Sequence, residues 1–208
     1  MVRQECHFGC VLCGEAFCHY DHIIPFETAR EHTISNIALL CGTHHDKKTR
    51  GLISENTVRA ARASPFRVSK PWPRSQFSPS TRSLPVTFGG ARFLNPRVVL
   101  RVLGHDLLEI REPESHEGPI RVSAEFYDAL GRATLLIADN EIKINPDSWD
   151  IRTKGTCVTI LRAPRQAALR IRLHPEELVV ERLQMCYQDI ALKANRREVE
   201  LGSKGEGF

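Results

Sequence analysis

Five of the seven cysteines (Cys6, Cys10, Cys13, Cys18, Cys41) and six of the nine histidines (His7, His19, His22, His32, His44, His45) crowd between Cys6 and His45. That concentration constrains folding more than any other feature. The surrounding segment alternates turns with short apolar runs, and burial alone offsets chain entropy poorly in so small and polar a stretch. Clustered thiols and imidazoles offer another source of cohesion, a bound metal ion. The opening Met1-Val2-Arg3-Gln4-Glu5-Cys6-His7 has neither a basic nor an apolar leader region, so a reducing, cytoplasmic setting is expected. There, cysteine clustering argues for metal rather than disulfides.

The spacing is informative. Cys10-Val11-Leu12-Cys13, followed by Gly14, is a C-x2-C turn that aims two thiolates at one ion, and Cys41-Gly42-Thr43-His44 repeats the interval with an imidazole at its end. Cys10, Cys13, Cys41 and His44 are therefore expected to form a closed, tetrahedral, structural zinc site. Cys6, Cys18 and His45 are the alternatives for a place in it.

Between the two halves lie Tyr20-Asp21-His22-Ile23-Ile24-Pro25 and Ser35-Asn36-Ile37-Ala38-Leu39-Leu40, and His45 follows the second half. Asp21-His22, Asn36 and His45, interleaved with the zinc half-sites, resemble the HNH (ββα-metal, His-Me finger) endonucleases over about residues 8–54. The resemblance implies that His22 is the general base, that Asp21 and His45 hold a catalytic divalent cation, and that Asn36 orients the strand-loop backbone so that His22 points correctly. The cation implied is Mg²⁺, and a carboxylate with an imidazole also suits Mn²⁺ or Ni²⁺. A histidine suits the base role because its unperturbed pKa of about 6.5 leaves it largely neutral at cellular pH. Lys47, Lys48 and Arg50 follow His45, where cations can meet the phosphates that flank a cut. Relatives often carry cysteine where this chain has His44, so which of His44 and His45 faces which ion stays open at this level.

Beyond the cluster, Ser54–Ala63 reads as a helix with Ser54 as N-cap and Glu55 in its first turn. From Arg62 to Arg97 there are six prolines (Pro65, Pro71, Pro73, Pro79, Pro85, Pro96), seven basic residues and no acidic one. This reads as a linker or arm whose Phe66, Trp72, Phe77, Phe88 and Phe93 either stack on bases or pin it to the rest of the chain. After residue 97, β-branched runs alternate with turn signals, as in Arg121-Val122-Ser123-Ala124-Glu125-Phe126 and Ala168-Leu169-Arg170-Ile171-Arg172-Leu173. Leu130-Gly131 and Asp139-Asn140 read as hairpin turns, and Cys157 and Cys186 as small core residues. The organisation expected is an α+β chain: a zinc-stabilised ββα nuclease domain at 1–63, a basic Pro/Ser-rich arm at 64–96, and a mainly antiparallel all-β domain at 97–208, as a sandwich or a β-solenoid.

Charge supports a division of labour. Residues 1–97 carry 13 Lys and Arg against 7 Asp and Glu, a net of +6, while the remainder carries 16 against 18, a net of −2. A polyanion is expected at the basic end. The expected function is hydrolysis of DNA by a one-metal HNH endonuclease of the kind found in prokaryotic defence or mobile elements, with RNA left open as substrate. The acidic β-domain would oligomerise the chain or engage a regulatory protein. The alternative is a non-catalytic, zinc-stabilised nucleic-acid-binding module. No apolar run approaches the roughly 20 residues of a membrane span, so no membrane partner is expected.

Overall fold

The computed structural model describes residues 1–66, 72–80 and 82–205. The chain divides into two compact units, one of Met1–Ser75 with Ile144–Pro146, the other of Gln76–Lys143 with Asp147–Phe208. Pro71 and the cations Arg67 and Lys70 of the basic arm lie outside the described residues.

In the first unit a short helix α1 (Val2–Glu5) precedes a two-stranded antiparallel sheet, β1 (Cys18–His22) and β2 (Ile37–Cys41). The register pairs Cys18 with Cys41 and His22 with Ile37. The loop between them holds α2 (Phe26–Ala29), which Arg30 ends in the left-handed region, and a 3-10 turn over Ile34–Asn36. Helix α3 (Gly42–Thr49) starts directly after β2, and α4 (Glu55–Ala63) follows. The α4 start is the expected one: Ser54 Oγ accepts from the Thr57 amide at 3.1 Å, satisfying a donor that the helix cannot. Arg62 of α4 donates to the Ile37 carbonyl at 3.0 Å and pairs with Glu5, tying the helix to β2 and α1. The buried core is small. Among the described residues its main cluster joins Cys6, Cys10, Val11, Ile23, Ala38, Leu39, Leu40, Cys41 and Val58, and three of these are cysteines. So little aliphatic surface makes a structural metal the natural complement.

The stretch read as an arm does more than connect. It contains β3 (Arg74–Gln76), β4 (Val86–Phe88) and β5 (Ala91–Phe93). Leu84, Val86 and Phe88 are buried in the second unit, so these residues are core and Phe88 is a pinning aromatic there. The prolines hid this, although a signal was present: Val86-Thr87-Phe88 and Ala91-Arg92-Phe93 flank Gly89-Gly90, the dipeptide of a tight two-residue hairpin. Both glycines have positive φ (59° and 84°), and β4 also pairs in parallel with the later strand that contains Leu178–Val180.

The second unit is all-β. Strands β6 (Val98–Val102), β7 (His105–Arg111), β8 (Arg121–Tyr127), β9 (Ala133–Ala138) and β10 (Glu141–Ile144) follow one another in one sheet. The other sheet runs β11 (Asp150–Lys154), β12 (Cys157–Ala163), β13 (Gln166–His174), β14 (Glu177–Tyr187), β15 (Ile190–Ala194) and β16 (Val199–Ser203). Each strand pairs with its sequence neighbour. Such meanders are antiparallel, which sets aside the solenoid arrangement. The expected alternation holds, since Leu169, Ile171 and Leu173 are buried while Arg170 and Arg172 are exposed. The turns at Leu130-Gly131 and Asp139-Asn140 are also found. Cys186 is fully buried, but Cys157 is only half-buried, because it begins β12 opposite the exposed Arg172 on β13.

A Cβ added at Gly90 would lie 2.3 Å from the Arg197 carbonyl oxygen, whereas one added at Gly155, also at positive φ, meets nothing within 4 Å. Gly90→Ala is therefore expected to cost more than the roughly 1–3 kcal/mol of left-handed strain that Gly155→Ala incurs. Equal losses for the two variants in chemical denaturation would rule out the close approach as the cause.

Candidate metal centre and active site

The turn from Cys10 to Cys13 is closed by a 2.7 Å hydrogen bond from the Gly14 amide to the Cys10 carbonyl, and Gly14 takes the positive φ of 75° that follows such a turn. The Val11 amide binds the Leu39 carbonyl at 3.0 Å, which lays this knuckle against β2. Cys41 ends β2 and His44 lies in the first turn of α3. As a result the Sγ atoms of Cys10, Cys13 and Cys41 and a ring nitrogen of His44 lie within 4.8 Å of one another. His44 presents Nδ1, at 3.4 Å from Cys10 Sγ and 3.3 Å from Cys41 Sγ. Three thiols and an imidazole converging on one point fit Zn²⁺ in a closed tetrahedral shell. The thiols already share charge unevenly: the hydrogen bond from Cys13 holds Cys10 down at about 4 and pushes Cys13 up. Cys6 and Cys18, the alternatives, stand aside. Burial raises both thiols, and Cys18 donates to the Glu15 carbonyl at 2.8 Å.

A second constellation is built by the same elements. Asp21 and His22 end β1, next to α3, which packs on both strands. Consecutive helical residues diverge by 100°, so His44 and His45 face different places. His45 Nε2 stands 3.4 Å from Asp21 Oδ1. Asn36 is 8% exposed and clamps the chain just past His22: its Oδ1 accepts from the Ile24 amide at 2.8 Å and its Nδ2 donates to the Ile24 carbonyl at 3.1 Å. The backbone adds a third bond, from the Ile23 amide to the Asn36 carbonyl at 2.8 Å. A cavity of about 600 Å³ opens beside these groups, lined in part by Asp21, His22, Phe26, Lys48, Thr49 and Glu55.

The three cations grouped with Asp21 and His45 in the sequence separate. Lys47 and Arg50 are exposed, and Arg50 makes only a surface pair with Asp46 at 3.0 Å. Lys48 turns inward instead, because it follows His45 by three positions and shares that face of α3. Its side chain is 12% exposed, with Nζ 2.7 Å from Asp21 Oδ2 and 2.5 Å from the His22 carbonyl. Of the three, Lys47 and Arg50 thus keep their charges exposed to solvent. Sequence reasoning gave His32 no role in the site. Its Nδ1 lies 2.8 Å from His22 Nε2. Its ten-residue separation across a loop gave no periodic signal.

The family described as HNH endonuclease matches residues 4–51. This stretch holds the four metal-ligand candidates and the Asp21, His22, Asn36 and His45 constellation, so residues 4–51 form an HNH module with a zinc-type cluster. No curated protein and no solved structure matches the chain. Among the described residues no helix is long and apolar enough to cross a membrane.

Cys41→Ser is expected to lose the bound zinc, from about one ion per chain, and to unfold the first unit, since a structural site supplies folding free energy outright. Cys6→Ser and Cys18→Ser should retain the ion. Metal analysis after dialysis, with thermal melting, checks both, and full zinc content in Cys41→Ser would refute the ligand set.

Proposed function

We propose that the chain is a metal-dependent endonuclease that hydrolyses DNA phosphodiester bonds at Asp21, His22, Asn36 and His45, with the Cys10, Cys13, Cys41 and His44 cluster as a structural zinc site. One observation carries the reading: Asp21 and His22 both line an open cavity, His45 comes within 3.4 Å of the Asp21 carboxylate, and Asn36 clamps the chain just past His22. A binding module has no need for a histidine so placed.

The role of each residue follows from what the bond requires. His22 takes a proton from water through a ring nitrogen as the water oxygen bonds to phosphorus. The bond from phosphorus to the 3′ oxygen breaks with its electron pair, which leaves a 5′-phosphate and, after protonation, a 3′-hydroxyl. Asp21 and His45 would hold Mg²⁺, Mn²⁺ or Ni²⁺, whose charge when bound offsets that on the phosphoryl and leaving oxygens. Asn36 fixes the turn after β1 so that His22 keeps its direction. Lys47 and Arg50 position the flanking phosphates, and the net +6 of residues 1–97 draws the polyanion in. The stretch 98–208, with its 16 Lys and Arg against 18 Asp and Glu, is assigned to contact with a further copy or a regulatory protein, in a reducing cytoplasm that keeps the thiols reduced.

A second reading is favoured by one contact. Lys48 Nζ lies 2.7 Å from Asp21 Oδ2, so the carboxylate has a counter-charge without any ion, as a zinc-stabilised nucleic-acid-binding module would retain it. Incubation with supercoiled DNA and with RNA in EDTA, Mg²⁺, Mn²⁺ or Ni²⁺ separates the two. Metal-dependent cutting is expected, slowed by 10²–10⁴-fold in His22→Ala, the usual worth of a positioned general base. Undiminished cutting by His22→Ala would sink the assignment, and metal-indifferent binding without cutting would establish the module instead.

A further inference from the structure

The loop between β1 and β2 returns to the site it leaves. Pro25 opens α2, Arg30 in the left-handed region (φ 53°) turns the chain back, and His32 arrives beside His22. His32 is not left to rotate freely. Its ring stacks on Phe26 with centroids 4.5 Å apart and planes within 14°, while Phe26 lies 5.7 Å from the His22 ring. The two imidazoles meet nitrogen to nitrogen, His22 Nε2 to His32 Nδ1, at 2.8 Å.

One of those nitrogens carries the shared proton, and the choice decides what His22 can do. If His32 Nδ1–H donated, His22 would be protonated on Nδ1 and have no lone pair facing away from His32. Both rings would also hold the proton on Nδ1, the intrinsically less favoured site of a neutral imidazole. If His22 Nε2–H donates, both rings are in the favoured form, His32 Nδ1 accepts, and His22 Nδ1 is a free acceptor. Intrinsic preference and the lone pair that a base at His22 requires select the same arrangement.

We propose that His32 is a positioning residue for the nuclease site: by accepting the Nε2–H of His22 it fixes the tautomer and direction of that ring and leaves Nδ1 to take the proton from water. The inference rests on the endonuclease reading for its catalytic consequence and on the ring pair alone for its structural part. The balance is simple. One O–H bond of water breaks, one N–H bond forms at His22 Nδ1, and the Nε2–H stays directed at His32, whose lone pair faces the charge that the imidazolium acquires.

The test compares the zinc-loaded full chain with His32→Leu, which removes the acceptor, and His32→Asn, which places an amide oxygen near where Nδ1 stood. In His32→Leu, kcat for plasmid nicking is expected to fall by about ten- to a hundredfold with KM unchanged, part of what a positioned base supplies. His32→Asn should recover most of it. Long-range ¹H–¹⁵N correlation spectra should show His22 as the Nε2–H form in the parent and as a mixture in His32→Leu. A His32→Leu protein that nicks at the parent rate, or whose His22 ring nitrogens are unchanged, overturns the inference. If the parent cuts no nucleic acid with any metal, the endonuclease reading fails, and the ring-nitrogen spectra still decide whether the pair exists.

Discussion

The convergence of Cys10, Cys13, Cys41 and His44 does more than replace a missing core. Cys41 is the last residue of β2 and His44 belongs to the first turn of α3, so one tetrahedral shell would fix the angle at which helix leaves strand. The other two ligands come from the knuckle held to Leu39. Strand, helix and knuckle are thereby tied at one point, with a small buried cluster around Leu39, Leu40 and Ile23 to assist them. The α3 side of the site depends on that junction, because α3 delivers both His45 and Lys48.

Two adjacent histidines serve two centres because a helix advances by 100° per residue. His44 reaches the thiols with Nδ1, and His45 reaches Asp21 with Nε2. Swapping their roles would need α3 to rotate by about that angle, and the Cys41 ligand at its start prevents this. The candidate zinc cluster and the Asp21–His45 pair are therefore joined through one peptide bond. The His22 side of the cleft is fixed separately, by the pair of bonds from Asn36 to Ile24 and by the loop that carries His32.

Spacing made much of this legible. The C-x2-C and C-x2-H intervals encode local turns, so the cluster could be read from the chain, as could the α4 start at Ser54 and the alternation in β8 and β13. What escaped was whatever depended on contacts across loops. His32 meets His22 only because Arg30 adopts a left-handed conformation that no sequence rule requires. Lys48 looked like its neighbours Lys47 and Arg50, and only its helical phase relative to β1 turns it inward. The β4–β5 hairpin was hidden by proline density, although its Gly-Gly turn was the usable signal, and Cys157 falls at the start of a strand where burial is partial.

Lys48 explains how such a site survives without an ion. A carboxylate that is 12% exposed loses most of its hydration, and an uncompensated charge there would destabilise the strand end that bears His22. The Lys48 ammonium supplies the compensation and, through the His22 carbonyl, also braces the backbone of the histidine itself. Asp21 Oδ1 faces His45, and these two residues would hold a divalent ion, while Oδ2 pairs with Lys48. The two oxygens of one side chain thus face different partners on α3. The adjacent ammonium offsets the Asp21 charge, whereas the three thiols and the imidazole of the Cys10, Cys13, Cys41 and His44 cluster converge on one point.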